Sequence, residues 1–217
     1  MYSANILSCY YFHPALPKSC SHLKIWDSTA ESGTYVIDPD GEGGVPPYNV
    51  TCDMTNKNGV GVTVVSHDSE DRTLVDGFEA PGSYSRDIKY TKASLSQLAS
   101  LTTVSLFCKQ FIQYECRNSL MFRDNTGWWV SRDSIDMNYW GGAPAGSGKC
   151  ACGIDDSCAE PHYHCNCDAN NDEWNEDSGL LTDKIHLPVK QLRFGDTGSY
   201  EEMGYHTLGK FKCYGIA

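Results

Sequence analysis

The sequence predicts an α+β domain, mostly antiparallel strands, with long loops stapled by disulfides. Three observations carry that expectation. Short apolar alternations recur between turn-rich stretches, the signature of strands. Eleven cysteines among 217 residues are too many for a reducing compartment unless they bind metal. One segment carries a helix start, and a later stretch of about forty residues has almost no periodicity and must be tied down by something other than a backbone ladder.

Residues 1–19 read as a lead-in, with Pro14 and Pro17 breaking any regular element, and 20–217 as one domain opened by Cys20. Thr34–Ile37, Tyr48–Cys52 and Val60–Val65 alternate as strands. The turns between them are Asp38-Pro39-Asp40-Gly41 and Asn56-Lys57-Asn58-Gly59, the second suited to a hairpin. Ser94 with Gln97 forms a capping box ahead of Leu95, Leu98 and Leu101, so a short helix starts there. Residues 103–116 read as one or two strands ending at Cys116. Residues 138–180 are irregular and hold five cysteines, and strand signals return at Pro188–Phe194 and Leu208–Tyr214.

Composition excludes several function classes. Hydrophobic residues at 40% and aromatics at 12% argue for a folded core. A net charge of -11 with no Lys/Arg cluster in sequence argues against nucleic-acid binding, which needs a basic footprint. No apolar run is long enough to span a bilayer. Met1–Leu16 lacks the basic start and apolar stretch of a signal peptide, so the expectation is a fragment whose export signal lies elsewhere. Enzyme signatures are missing. Gly146-Ser147-Gly148-Lys149 has Ala143 and Cys150 where a phosphate loop needs Gly and Ser/Thr, and there is neither Gly-x-Ser-x-Gly nor His-Glu-x-x-His. The expectation is a non-catalytic protein.

Candidate sites follow from residue type. Asn49-Val50-Thr51 is an acceptor for N-linked glycan in a secreted chain. Asp168, Asn170 and Asp172 place oxygens at the alternate spacing with which a loop wraps calcium, the candidate cofactor. This is not an EF-hand, because Glu173 and Gly179 stand where Gly and Glu would be needed. The plainer reading is a solvated acidic loop. Cys150, Cys152, Cys165 and Cys167 with His162 and His164 could wrap zinc, but the Cys-x-Cys spacing is unusual for it. Among Trp128, Trp129, Tyr139, Trp140 and Trp174, the pair Tyr139-Trp140 is the ligand-pocket candidate, since Gly141-Gly142 allows close approach; the plainer reading is core.

Longer motifs carry a resemblance. Ser32-Gly33-Thr34-Tyr35-Val36-Ile37-Asp38-Pro39-Asp40-Gly41 followed by Cys52-Asp53-Met54 resembles the opening of fibrinogen-like domains. Trp128-Trp129-Val130, Tyr139-Trp140-Gly141-Gly142, Lys149-Cys150-Ala151-Cys152-Gly153, Cys165-Asn166-Cys167-Asp168 and Leu187-Pro188-Val189 resemble the fibrinogen-like domain of contactin-associated proteins and neurexin IV. Similar modules occur in cnidarian skeletal matrix proteins. The resemblance implies a fibrinogen C-terminal-like fold and an extracellular interaction module in cell adhesion or matrix, with a protein or glycan partner. A structural part in a mineralising matrix and a calcium-dependent lectin are the alternatives. By analogy it pairs Cys20 with Cys52 and Cys116 with Cys213, and it raises Asp38–Glu42 as a second calcium turn. Cys108, Cys150, Cys152, Cys158, Cys165 and Cys167 stay unassigned, and Cys9 makes the total odd.

Overall fold

The structure is a computed structural model describing residues 15–217. In chain order its elements are α1 (Cys20–Trp26), β1 (Gly33–Ile37), β2 (Tyr48–Asp53), β3 (Val62–Val65), β4 (Thr73–Val75), β5 (Tyr84–Asp87), α2 (Leu95–Val104), β6 (Phe107–Arg117), β7 (Trp128–Val130), β8 (Asp136–Met137), α3 (Ala151–Ile154), β9 (Asn175–Leu181), β10 (Gln191–Phe194), β11 (Met203–Leu208) and β12 (Phe211–Tyr214). The fold is β-rich with antiparallel pairing throughout, and its helices are few and short. Packing begins before Cys20. The Asp38 N–H donates to the Pro17 carbonyl at 3.0 Å, and Ser19 caps α1 by accepting the His22 N–H. Residues 1–14, with Cys9 and most of the expected lead-in, lie outside the described residues.

The local signals formed what they encode. Ser94 caps α2 with both halves of the capping box closed, and Leu98 and Leu101 are buried beneath it. In β6 every second residue from Cys108 to Cys116 is buried, the period of a strand with one wet face. β2 and β3 form the expected hairpin.

The larger sheet has the order β1-β2-β3-β12-β6-β11-β4, with β9 also on β6. β6 is its long central strand. On one side it meets β11 and then β12, which run in line and are separated only by Gly209 and Lys210. The Gly209 N–H still donates to Phe111, so the ladder is bulged there rather than broken. On its other side lies β9. The smaller sheet has the order β5-β10-β7-β8. The two sheets meet where Tyr114 of β6 stacks on Phe194 of β10, centroids 4.2 Å apart, with His206 of β11 stacked on the same ring.

All ten cysteines of residues 20–217 are paired, as Cys20–Cys52, Cys108–Cys213, Cys116–Cys167, Cys150–Cys165 and Cys152–Cys158. The first is the pair the resemblance implied. The implied Cys116–Cys213 pair is corrected by register, because β12 lies against the start of β6 and Cys213 faces Cys108 directly. Cys116 is eight residues further along β6, roughly 26 Å away at about 3.3 Å per residue. It reaches Cys167 instead. With every one of these sulfurs in a disulfide, none remains as a thiolate for zinc.

Candidate functional site

The irregular segment between β8 and β9 is organised by two buried carboxylates. Asp168 Oδ1 accepts the backbone N–H groups of Met121, Phe122 and Arg123 at 3.0–3.1 Å. Asp177, on β9, accepts from Asn166 at 3.0 Å and from Cys167 at 2.9 Å. Burial raises the pKa of both, that of Asp177 to about 6, against the N–H groups each accepts. The segment is therefore pinned by carboxylates to strand-end and loop backbone that no ladder reaches.

Three expectations change here. Tyr139 and Trp140 are not an exposed pocket: they are 1% and 0% exposed. The Trp140 indole N–H donates to the Asp177 carbonyl at 2.9 Å, and the Tyr139 carbonyl accepts from the Trp129 indole at 2.7 Å. Gly141 does permit a close approach, but to Gly179 of β9, whose own Cβ, if present, would lie 2.5 Å from the Gly141 carbonyl carbon. The calcium trio is also dispersed. The Asp168 carboxylate faces inward onto three N–H groups, Asn170 is a left-handed cap with φ 47°, and the carboxylate of Asp172 pairs with Arg117 at the surface. The acidic turn at 38–42 is likewise used locally, with Asp38 accepting from Gly41 and Asp40 from Val45 and Ser100. Asn49 and Thr51 are exposed on the outer face of β2.

Carboxylates converge elsewhere. Oxygens of Glu79, Asp196 and Glu202 lie within 4.8 Å of one another. Burial raises the Asp196 pKa, and the neighbouring Glu202 and Asp124 add to it against the Leu120 N–H that Asp196 accepts. Sequence gave no signal for this trio, since its members come from separate segments. The other tight group, Cys150, Cys165 and Asp177, contains a disulfide and offers no thiolate.

Beside the cysteine-rich segment the β7–β8 hairpin and the turn before it enclose an open depression of about 450 Å³, lined by Phe122, Asn125, Trp128, Asp136, Met137 and Asn138. Each wall has a structural cause. Trp128 lies on Gly82, where φ is +63° and no Cβ would fit, and Arg193 holds that turn by donating to the Gly82 carbonyl at 3.0 Å. Phe122 meets Trp140 edge-on at 6.4 Å, so the buried tryptophan supports the wall from behind. The lining sets amides and a carboxylate beside apolar surface, a mixture suited to orienting a bound ligand.

No model of a known protein family matches the chain. Individual proteins do. The chain is 40% identical over 209 residues to Neurexin-4 of Drosophila melanogaster, covering 92% of this chain and 16% of that protein. It is 37% identical over 206 residues to Contactin-associated protein 1 of Rattus norvegicus and 36% identical to that of Homo sapiens, in each case covering 93% of this chain and 15% of the relative. Over nearly its whole length the chain is similar to one part of Neurexin-4 and of the contactin-associated proteins. It spans about one sixth of the length of the curated relatives it matches. The motif residues singled out in the sequence are structural here: Trp129 and Trp140 are core, Cys150, Cys152, Cys165 and Cys167 are bridged, and Asp168 is a backbone clamp. Five disulfides fit an oxidising, extracellular setting. No helix among the described residues is long and apolar enough to cross a membrane.

Proposed function

We propose that this chain is a non-catalytic, extracellular interaction domain of fibrinogen-like type, used in cell adhesion or matrix contact. Its ligand face is the depression between Phe122, Trp128 and Met137. The observation that carries this reading is that depression: aromatic and amide groups open to solvent on a scaffold held by cross-links, in a chain of Neurexin-4 type. Asn49 carries an N-linked glycan in this reading, and release by a peptide N-glycosidase lowers the mass of the secreted protein but not that of Asn49→Gln.

The test is adhesion of cells to surfaces coated with the purified domain. Asp136 and Asn138 are exposed at the rim, so Asp136→Arg with Asn138→Arg blocks the mouth without touching the core. Adhesion falls about ten-fold in the double variant if the depression is the contact, a change of about 1.4 kcal/mol. Unchanged adhesion removes the site. The lining of Trp128 with Asn125, Asp136 and Asn138 also favours a glycan as ligand, so a glycan array with and without chelator separates a lectin from a protein receptor.

A further inference from the structure

On the outer face of the larger sheet, three ammonium groups gather around one aromatic pair. Lys109 of β6 and Lys212 of β12 are directly opposed cross-strand partners, and so are Phe107 and Tyr214. Like charges directly opposite one another destabilise a sheet. Lys57 joins them from the β2–β3 turn, with its Nζ 5.3 Å from the centre of the Tyr214 ring, and the Lys109 Nζ is 5.9 Å from the same ring. Lys57 is held there in a left-handed backbone conformation, φ 53°. None of the three has a carboxylate within 4.0 Å among the described residues. Burial, then the charges of Lys57 and Lys212, lowers the Lys109 pKa, and no acid offsets them. Phe107 is 52% exposed, its ring 5.4 Å from that of Tyr214. On a chain of net charge -11, a compact unpaired cationic cluster beside an exposed aromatic pair is a local reversal of sign.

We propose that this patch, Lys57, Lys109 and Lys212 around Phe107 and Tyr214, binds a sulfated saccharide, the lysines holding sulfate groups and the aromatic pair packing against a sugar ring. Charge complementarity selects an anion, and spacing selects its kind. Directly opposed side chains start about 5 Å apart. Acidic residues on one face of an extended peptide fall about 6.6 Å apart, whereas sulfates on a saccharide cluster more densely. The flat exposed ring face fits a pyranose. The net negative charge of the chain disfavours a polyanion in general, so binding should depend on this patch.

The experiment is calorimetric titration of the oxidised domain at 0.15 M salt with a heparin-derived hexasaccharide, an unsulfated hyaluronan hexasaccharide and a glutamate-rich peptide. The sulfated saccharide binds, and Lys109→Gln with Lys212→Gln weakens it at least about ten-fold, as loss of charge-assisted hydrogen bonds requires. Lys89→Gln with Lys92→Gln leaves it unchanged. Should the double variant fail to fold, Lys57→Gln in the exposed turn reads the same loss. Binding that is undetectable in the wild type, or indifferent to these lysines, overturns the proposal. Tighter binding of the glutamate-rich peptide overturns it in favour of an acidic protein partner. The depression beside Trp128 is untouched by these substitutions, so either surface can fail alone.

Discussion

The strands around β6 and the irregular segment before β9 hold their backbone in opposite ways. Around β6 nearly every residue pairs with a neighbouring strand, and the disulfides Cys20–Cys52 and Cys108–Cys213 join strands or a helix already in contact. Between 138 and 174 there are only a four-residue α-helix and a three-residue 3-10 turn at Cys167–Ala169, and order comes from three disulfides, a Gly141–Gly179 contact, the inserted Trp140 and the carboxylates of Asp168 and Asp177. A ladder spreads its stabilisation over many weak, equivalent bonds. Clamps concentrate it in a few groups, so single substitutions cost more there. That is also the region whose edge forms the depression.

Trp140→Ala is the harshest way to probe that concentration. It opens a cavity behind Phe122 and removes the bond to Asp177, and about 3–5 kcal/mol of stability should go. Thermal unfolding measures it; a loss under 1 kcal/mol would mean that the segment is not built on this side chain. Next is the short bridge. Replacing Cys150 and Cys165 together by Ala frees a loop of sequence separation 15, and should cost about 3 kcal/mol on chain-entropy grounds. Limited proteolysis should then cut between 142 and 166 while the β6 strands stay protected. Asp168→Ala leaves three N–H groups without an acceptor and should cost about 2 kcal/mol or more in denaturant unfolding. An unchanged midpoint would contradict its role as a clamp.

Acid distinguishes the two regions by sign. Asp177 has a folded pKa of about 6 against an ordinary 3.8, so the native state binds more protons in that window and stability falls as pH rises through it. His206, buried in β11 with its Nε2 2.7 Å from the Tyr84 hydroxyl, is lowered by burial to about 4 from 6.5. There the unfolded state binds more protons, and stability is lost as pH falls from 6.5 toward 4. Each shift of about two units is worth roughly 3 kcal/mol. The two oppose each other, so Asp177→Asn should make the melting temperature drop more steeply than wild type between pH 7 and pH 5. Parallel profiles would show that Asp177 is not held neutral by burial. The smallest effect lies on the surface, where Arg117→Gln loses an exposed ion pair with Asp172 and should change stability by less than about 1 kcal/mol.

Sequence was most legible where structure is local. The Ser94–Gln97 box and the alternation of β2 and β6 need only neighbours to act, and they formed as read. β9 was not legible: Asn175-Glu176-Asp177-Ser178-Gly179 has little strand propensity, and pairing with β6 overrides it. Cysteine pairing was legible only through the resemblance, which implied Cys20–Cys52 but missed the partner of Cys213, because that depends on the register of β12 against β6. The site misreadings share one cause. The glycines at 141–142 and the oxygens at 168–172 do have the shapes assigned to them, close approach and acceptance, but the chain itself supplies the approaching backbone and the donors.

The most direct test of this architecture is disulfide mapping by mass spectrometry of the unreduced protein. Cross-linked peptides should join Cys108 to Cys213 and Cys116 to Cys167, with Cys150–Cys165 and Cys152–Cys158 closing the irregular segment. A peptide joining Cys116 to Cys213, or free thiols at 150, 152, 158 or 165, would contradict it.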